Sequence, residues 1–403
     1  MKLGNYKQFD LTYCSNIYSG DTWEDIFKKL KKNIPKLKTK ISPNKAFGIG
    51  LRLSNSAAIE LLKNNSLIIF QEWLNDNGCY VATINGFVYG DFYNTNVKDK
   101  VYQPDWTTIE RANFNFKLIE ILCKLCPAGG EIGFSTSPLA YKFSLNKENP
   151  NSSNDLIIYY LFILIKKLLQ ISEKEGKTIH IDFEPEADCL LENICDITHF
   201  FEKILFIKLA LKLVDELNIS LKKAKTYIVQ HIRVCYDICH QAVQFEDHIK
   251  NFELLNHYGI KIGKIQLSSA LEIKVQNNTL KNLIKDLNKF KDKLYLHQVV
   301  IKKFDGSIKK YRDLPEALNN FNELNESFWR IHYHLPIFVK NYNNLLTTNN
   351  EIQTVIKFLI YSSITSCLEI ETYTWEILPE ELKLDLTLSI IKEYEWVIRQ
   401  LNE

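Results

Sequence analysis

The feature that most restricts the fold of this chain is a regular alternation of short apolar strands with amphipathic helices. Eight strand-like runs, rich in β-branched and aromatic residues, are separated by stretches of helical sequence. Eight β/α units in one direction are the count of a (β/α)₈ TIM barrel. We therefore predict an α/β fold with one barrel domain over residues 1–403, although this length can also hold two ordinary domains.

Turn residues and helix caps set the predicted boundaries. The first helix, DTWEDIFKKLKKNI, can be capped by Asp21 or Thr22, and the second, SAAIELLKNN, by Ser56. The eight predicted strands lie in residues 9–20, 46–54, 79–90, 131–142, 178–186, 227–237, 262–271 and 367–375. In a barrel, all eight strands end on one common face.

The chain is too long between the seventh and eighth strands, which predicts an insertion over roughly residues 280–345. YLHQVVIKKFDGSIKKYRDLP reads as a β-hairpin around Asp305 and Gly306. WRIHYHLPIF is a further extended run, in which period-two alternation puts His332 and His334 on one face. Long structured loops in barrels belong at the catalytic mouth, so we expect a lid there. Its aromatic residues either contact substrate or only pack the lid.

Composition narrows the partners. A net charge of +2 gives no electrostatic case for a nucleic-acid polyanion. The nine cysteines are odd in number and scattered, without a signal peptide, which is typical of reduced thiols in a cytosol. The most apolar window, residues 156–165, is too short for a bilayer that needs about twenty residues. We expect a cytoplasmic protein without a transmembrane segment or a nucleic-acid partner.

Polar side chains stand near the carboxyl ends of four predicted strands, where a barrel keeps its chemistry. They are Glu184, Asp237, Gln266 and Glu371, and His240 follows Asp237 by one helical turn. Carboxylate and imidazole groups that converge in this way suit a divalent metal ion: Mn, Mg, Fe, Co or Zn. Taken alone, each carboxylate could equally cap the helix that follows its strand. Four polar side chains in matching positions favour a metal site.

Strand alternation does not decide which of two nearby glutamates faces the site. Glu186 and Glu369 are the nearest rivals of Glu184 and Glu371. Further polar residues near the predicted mouth are candidates to orient a metal ligand or to contact substrate: His240, His231, His297, Arg330, His332, His334, Asn16 and Asn85.

The motifs Glu184-Pro, Asp237-x-x-His240 and Ile370-Glu371 resemble the metal-binding strand ends of the xylose isomerase-like TIM barrels, in particular the sugar epimerases related to D-tagatose 3-epimerase. The whole chain resembles the EboE family of metabolite traffic proteins. The similar stretches run from about residue 11 to residue 379 and include LTYCSNIYSGDTW, GFSTSPLAYK, DFEPEADCLLE, VCYDICHQAVQFE, WRIHYHLP and LEIETYTWEILP.

The resemblance implies roles for these residues. In the epimerases, two glutamates hold the metal and move a proton on and off the carbon beside a carbonyl, and Glu184 and Glu371 match those two. Asp237 matches the aspartate ligand and His240 its companion. Gln266 stands where the epimerases have a histidine. Metal affinity is therefore lower here, or an insertion histidine, His297, His332 or His334, fills the gap.

Three functions follow as hypotheses. The first is a metal-dependent isomerase, epimerase or lyase acting on a small polar metabolite, within a gene cluster whose other proteins are partners. The second is a barrel that binds such a metabolite and hands it over without turnover, which the replacement at Gln266 favours. The third, a repair endonuclease with three zinc ions, is disfavoured by the near-neutral charge and by too few matching ligands.

Overall fold

Eight parallel strands close into a barrel in this computed structural model. The structure describes residues 1–3, 9–90, 98–144, 150–275, 280–320 and 327–402. A short strand β1 (Lys2–Leu3) pairs antiparallel with the first barrel strand. The barrel strands are β2 (Phe9–Tyr13), β3 (Phe47–Arg52), β4 (Cys79–Asn85), β5 (Glu131–Thr136), β6 (Thr178–Phe183), β7 (Ile232–Asp237), β8 (Ile262–Leu267) and β15 (Cys367–Ile370).

The hydrogen-bonded order of these strands is β2-β15-β8-β7-β6-β5-β4-β3. A parallel bridge between Cys14, just after β2, and Gly50 on β3 joins the two ends of this row. The sheet therefore closes on itself, and the predicted (β/α)₈ barrel is confirmed.

The helices fill the connections between strands. Ranges of the α-helices are α1 (Trp23–Ile41), α2 (Asn55–Leu61), α3 (Ser66–Asp76), α4 (Ile109–Leu125), α5 (Pro150–Glu175), α6 (Ile194–His199), α7 (Ala210–Leu217), α8 (Leu221–His231), α9 (Ile238–Val243), α10 (His248–His257), α11 (Leu280–Asn288), α12 (Leu314–Asn319), α13 (Asn349–Tyr361) and α14 (Leu386–Asn402). A π-helical stretch, Phe200–Leu209, joins α6 to α7. Among the described helices, none is long and apolar enough to cross a membrane.

Several predicted boundaries were wrong for local reasons. Thr22 caps α1 as predicted, but Ser54, not Ser56, caps α2 by accepting from the Ala57 amide. The sixth strand does not begin at residue 227. Residues there belong to α8, whose buried positions recur with helical spacing rather than with period two: Ala224, Ile228 and His231.

The connection between β8 and β15 forms a second sheet rather than a simple lid loop. Its strands are β9 (Ser269–Val275), β10 (Val299–Lys303), β11 (Ile308–Tyr311), β12 (Ser327–Leu335), β13 (Asn341–Tyr342) and β14 (Leu345–Thr347). They pair antiparallel in the order β11-β10-β12-β9-β14-β13. The predicted hairpin around Asp305 and Gly306 joins β10 to β11. The sheet begins at Ser269, inside the predicted seventh strand, and residues 321–326 of the predicted insertion lie outside the described residues.

The barrel interior holds charge as well as apolar side chains. Lys264 on β8 forms an ion pair of 2.5 Å with Glu369 on β15, and both side chains are at most 1% exposed. A buried pair of this kind needs each partner, because a lone buried charge is costly. Space for the Glu369 carboxylate comes from Gly50, where an added Cβ would overlap the carboxylate and lie 2.8 Å from the Tyr13 carbonyl oxygen.

We predict that Gly50→Ala lowers the free energy of unfolding by about 1–3 kcal/mol, because the added methyl group overpacks the barrel interior. Urea denaturation measures the change. Gly90→Ala is the matched control, since an added Cβ there meets no atom of the described residues within 4 Å. An equal effect of the two substitutions would contradict the argument.

Candidate functional site

The carboxyl ends of the barrel strands open into a pocket with a cavity volume of about 70 Å³. The barrel contributes Glu184 and Glu186, which follow β6, and Glu371, which follows β15. The second sheet contributes His332 and His334 from β12. Two of the three predicted insertion histidines, His332 and His334, therefore lie at the mouth of the barrel.

Three carboxylates meet at the base of this site. Oxygen atoms of Glu184, Asp237 and Glu371 lie within 4.8 Å of one another. Their side chains start from one edge of the sheet, because β6 pairs with β7, β7 with β8, and β8 with β15. The three residues are 4%, 0% and 3% exposed, so water screens their mutual repulsion poorly.

Two asparagines fix Glu371. Asn16, in a 3₁₀ turn after β2, and Asn85, the last residue of β4, each donate an amide hydrogen to Glu371 Oε1, at 2.8 and 3.1 Å. Glu371 Oε2 is buried and has no hydrogen-bond partner among the described residues. The carboxylate is thus held by one oxygen and leaves the other available.

Asp237 shows the same asymmetry. Its Oδ1 accepts hydrogen bonds from the Ser268 hydroxyl at 2.6 Å and from the His240 amide at 3.0 Å. Its Oδ2 is buried and is without a hydrogen-bond partner in the described part of the chain. The carboxylate therefore caps α9 with one oxygen and leaves the other for a ligand.

Burial and neighbouring charges shift the pKa values of the carboxyl groups in the site. Burial, together with the neighbouring carboxylates Asp237 and Glu186 and against the opposing effect of His240, raises the pKa of Glu184 to about 7. The pKa of Glu371 is raised well above its ordinary value by burial and then by Glu184 and Asp237. Carboxyl groups with raised pKa values release their protons when a cation binds.

Three imidazoles border the carboxylates. The ring centroid of His240, on α9, lies 4.7 Å from that of His332 and 5.6 Å from that of His334. Burial lowers the pKa of His334 to about 4 and that of His332 well below its ordinary value. Neutral imidazole is the form that binds a metal.

Glu186 belongs to the site as well, beside Glu184 rather than in its place. Its Oε1 accepts a hydrogen bond of 2.8 Å from the Tyr102 hydroxyl and lies 3.4 Å from His332 Nδ1. Alternation could nominate Glu186 but could not show that both glutamates of the Glu-Pro-Glu segment reach one pocket. Tyr102 belongs to no sequence pattern that would mark it as a site residue.

Gln266 is buried at the carboxyl end of β8, opposite Asp237 in register. Its Oε1 accepts a 3.0 Å hydrogen bond from the Cys235 thiol, and its Nε2 is buried without a hydrogen-bond partner within the described ranges. The predicted ligand oxygen is therefore engaged by a neighbour.

Two predicted histidines lie outside the pocket. His231 ends α8, before β7 begins and so at the opposite end of the barrel, where its Nδ1 is 2.7 Å from the Ile179 carbonyl oxygen. His297 has both ring nitrogens engaged, one with the His332 carbonyl oxygen at 2.8 Å and the other with the Asp292 carboxylate. These contacts give both histidines a structural part.

Two further candidates serve the framework. Arg330 on β12 forms ion pairs of 2.7 Å with Glu272 and Glu351 instead of facing the pocket. Glu369, the rival of Glu371, is engaged by Lys264 inside the barrel. The side chains of Glu369 and Glu371 both point into the barrel interior, at two different depths. Alternation places both inside but cannot show which of them reaches the pocket.

The end of β15 is anchored from outside by Glu393 on α14. This fully buried carboxyl group accepts hydrogen bonds from the Tyr13 hydroxyl at 2.7 Å, the Thr372 hydroxyl at 2.7 Å and the Ile337 amide at 3.0 Å. Thr372 follows Glu371, so this network fixes the backbone that carries the site. Burial raises the pKa of Glu393 to about 7.

No protein-family model and no curated protein matches this sequence. Among solved structures, an L-ribulose 3-epimerase has 9% identity and a TM-score of 0.47, over 97% of this chain and 94% of its own. The IolI protein with a zinc atom has 13% identity and a TM-score of 0.43, over 98% of each chain. A xylose isomerase domain containing protein from Salmonella typhimurium has 12% identity and a TM-score of 0.41, over 99% and 100%. The assignment of the fold rests on the strand order and closure of the barrel.

We predict that Glu393 makes stability fall as pH rises. Its folded-state pKa, about 7, exceeds the ordinary value of 4.5, so its contribution is complete below pH 4.5 and is lost through pH 7. Glu393→Gln mimics the neutral form. Its free energy of unfolding, relative to the wild type, should rise by about 2–3 kcal/mol between pH 5 and pH 8 in urea titrations. Glu395→Gln, at an exposed position of the same helix, should show no such trend.

Proposed function

We propose that this barrel binds a divalent metal ion through Glu184, Asp237 and Glu371 and uses it on a small polar metabolite. The observation that carries the proposal is a pair of buried carboxylate oxygens, Asp237 Oδ2 and Glu371 Oε2, that lack hydrogen-bond partners among the described residues. Buried acceptors are normally satisfied, and a cation satisfies several at once. Oxygen and imidazole groups suit Mn, Fe, Co or Zn, and Mg if oxygen dominates.

The reaction that fits this set of groups is proton transfer beside a carbonyl. When bound, a divalent ion polarises a carbonyl oxygen and makes the neighbouring carbon more acidic. Glu184 lines the pocket, so its carboxylate can take up and release the proton of a bound metabolite. Asn16 and Asn85 hold Glu371 in one orientation, so that it can act as the second proton-transfer group.

The pocket lining supports a sugar-like metabolite. The amide oxygen of Asn16 can accept a hydrogen bond from a hydroxyl group, because it lines the pocket and has no hydrogen-bond partner among the described residues. Aromatic walls at Phe87, Tyr102 and Tyr373 offer flat apolar surfaces. With the sequence resemblance, this favours a member of the EboE family in the xylose isomerase-like superfamily, acting in the cytoplasm on a secondary-metabolite precursor.

A second candidate is a protein that binds this metabolite and hands it to other proteins of the same gene cluster without turnover. The observation that favours it is the engagement of Gln266 Oε1 by the Cys235 thiol. If Gln266 contributes no ligand, the metal has fewer protein ligands from the barrel than the epimerase pattern provides.

We predict that Glu184→Gln and Asp237→Asn each lower the metal content of purified protein by at least half. Each change removes one negative charge and one strong oxygen ligand from the cluster. Elemental analysis after reloading with Mn²⁺ or Zn²⁺ measures the loss. Glu376→Gln and Asp215→Asn change exposed carboxylates in the same way and should leave the metal content unchanged. Unaltered metal in both site variants would refute the assignment.

An enzyme and a carrier would differ in whether a hydrogen of the bound sugar exchanges with solvent. If the barrel is an enzyme, incubation in deuterated water with ketose sugars should place solvent deuterium on the carbon beside the carbonyl, and Glu184→Gln should reduce the rate at least 100-fold. Proton nuclear magnetic resonance of the recovered sugar reads the label. A sugar that binds, as judged by calorimetry, and never acquires deuterium would establish the carrier instead.

A further inference from the structure

Positive charge is concentrated in one segment of the chain. Residues 26–59 hold nine of the 50 Lys and Arg residues and none of the 48 Asp and Glu residues. This segment therefore carries a charge of +9, whereas the total of +2 leaves −7 for the rest of the chain. The near-neutral total coexists with a strong asymmetry, which indicates an anionic partner for one side of the molecule.

Most of this charge lies on the solvent side of α1. The buried residues of the helix recur at helical spacing and face the core: Trp23, Ile26, Leu30, Ile34 and Leu37. The lysines of α1 and of the turn after it occupy the opposite side and its borders, and six of the eight are exposed. We call this set the lysine face: Lys28, Lys29, Lys31, Lys32, Lys36, Lys38, Lys40 and Lys45.

The lysine face is not neutralised from within the structure. None of the described carboxylates forms an ion pair with any of its eight lysines. The acidic residues of α1, Glu24 and Asp25, lie in its first turn, before the lysines begin. Lys28, Lys32 and Lys36 follow one another at intervals of four residues, a spacing at which like charges destabilise a helix. An anion from outside the chain would remove this repulsion.

Exposed apolar side chains accompany the lysine face. Helix α3 packs on α1, with the ring of Trp73 5.5 Å from that of Phe27, and both rings are half-buried. Lys31 Nζ lies 4.4 Å from the centroid of the same Phe27 ring. On α3, Ile68 and Ile69 are 53% and 51% exposed. Lysines beside aromatic and aliphatic side chains are the combination that binds at the surface of a membrane.

We propose that the lysine face docks on an anionic membrane surface, with α1 along the lipid headgroups and Ile68 and Ile69 in contact with them. Each lysine near such a surface strengthens binding about fivefold. Lysine suits a surface of many separate charges, whereas arginine suits bidentate contacts with single phosphate groups, and the lysine face contains no arginine. None of its lysines lines the pocket, so the inference is independent of the proposed function.

The test measures binding of the purified protein to vesicles of phosphatidylcholine, alone or mixed with phosphatidylglycerol, by cosedimentation. The wild type should bind the anionic vesicles and not the neutral ones. In 1 M salt, where the Debye length is about 3 Å, it should dissociate. The triple variant Lys28→Gln, Lys32→Gln, Lys36→Gln should bind the anionic vesicles about 100-fold more weakly. Glutamine and lysine have similar helix propensities, so α1 should remain folded.

A matched control removes the same charge elsewhere. The triple variant Lys174→Gln, Lys222→Gln, Lys250→Gln changes exposed lysines on α5, α8 and α10. Its affinity for anionic vesicles should stay within about threefold of the wild type, because charges beyond a Debye length from the membrane are screened.

The isoleucines of α3 test whether the partner is a lipid surface. The double variant Ile68→Ser, Ile69→Ser should weaken binding to anionic vesicles about tenfold, because apolar contact with the membrane is lost. Its binding to poly-glutamate, a soluble polyanion without an apolar layer, should not change.

The outcomes decide the proposal. Loss of vesicle binding in the α1 triple variant, with retention in the control, supports it. A wild type that does not bind anionic vesicles, or an equal loss in both triple variants, overturns it. Tighter binding to duplex DNA or to poly-glutamate than to vesicles, or no effect of the serine substitutions on vesicle binding, overturns the assignment to a lipid surface. Circular dichroism establishes that each variant is folded.

Discussion

A carboxylate buried inside a closed ring of strands needs a positive partner at short range. This requirement applies both at the centre of the barrel and at its mouth. At the centre, Lys264 is the partner of Glu369. Because Gly50 has no side chain, there is room for the Glu369 carboxylate. At the mouth of the barrel, none of the described lysines forms an ion pair with Glu184, Asp237 or Glu371. In the proposed function, these carboxylates take a cation from outside the chain.

Hydrogen bonds orient the carboxylates at the mouth of the barrel in the absence of a ligand. Glu371 and Asp237 each have one oxygen occupied by donors from neighbouring elements and the other oxygen open. Preorganisation of this kind lowers the cost of ordering a site on binding. The scaffold behind it is also polar, because Glu393 secures the segment after β15 with three hydrogen bonds.

Much of this could be predicted from the sequence because strand alternation and chain order determine where carboxylates emerge. Positions 184, 237 and 371 stand at the carboxyl ends of β6, β7 and β15, and their meeting requires only that the barrel closes. Alternation could not separate Glu184 from Glu186, because the Glu-Pro-Glu segment leaves the strand and both side chains reach the pocket. It also could not exclude His231, whose place before β7 depends on where α8 ends.

Contacts between distant segments lay beyond the sequence. Tyr102, Gln298 and His332 form one hydrogen-bonded row although they come from three separate parts of the chain. No local period connects them: the pairing of β12 with β10 places Gln298 beside His332, and Tyr102 reaches them from a turn outside the sheet.

The second sheet grows directly out of the barrel, since β9 begins two residues after β8 ends. Its strands pair with one another, and the barrel closes without them. The imidazoles of His332 and His334 and the carboxylates of the barrel thus belong to two frameworks that meet at a short connection. Under the proposed function, a change in the inserted sheet would alter the groups that face the ligand while the barrel beneath kept its own packing, so specificity could evolve separately from fold stability.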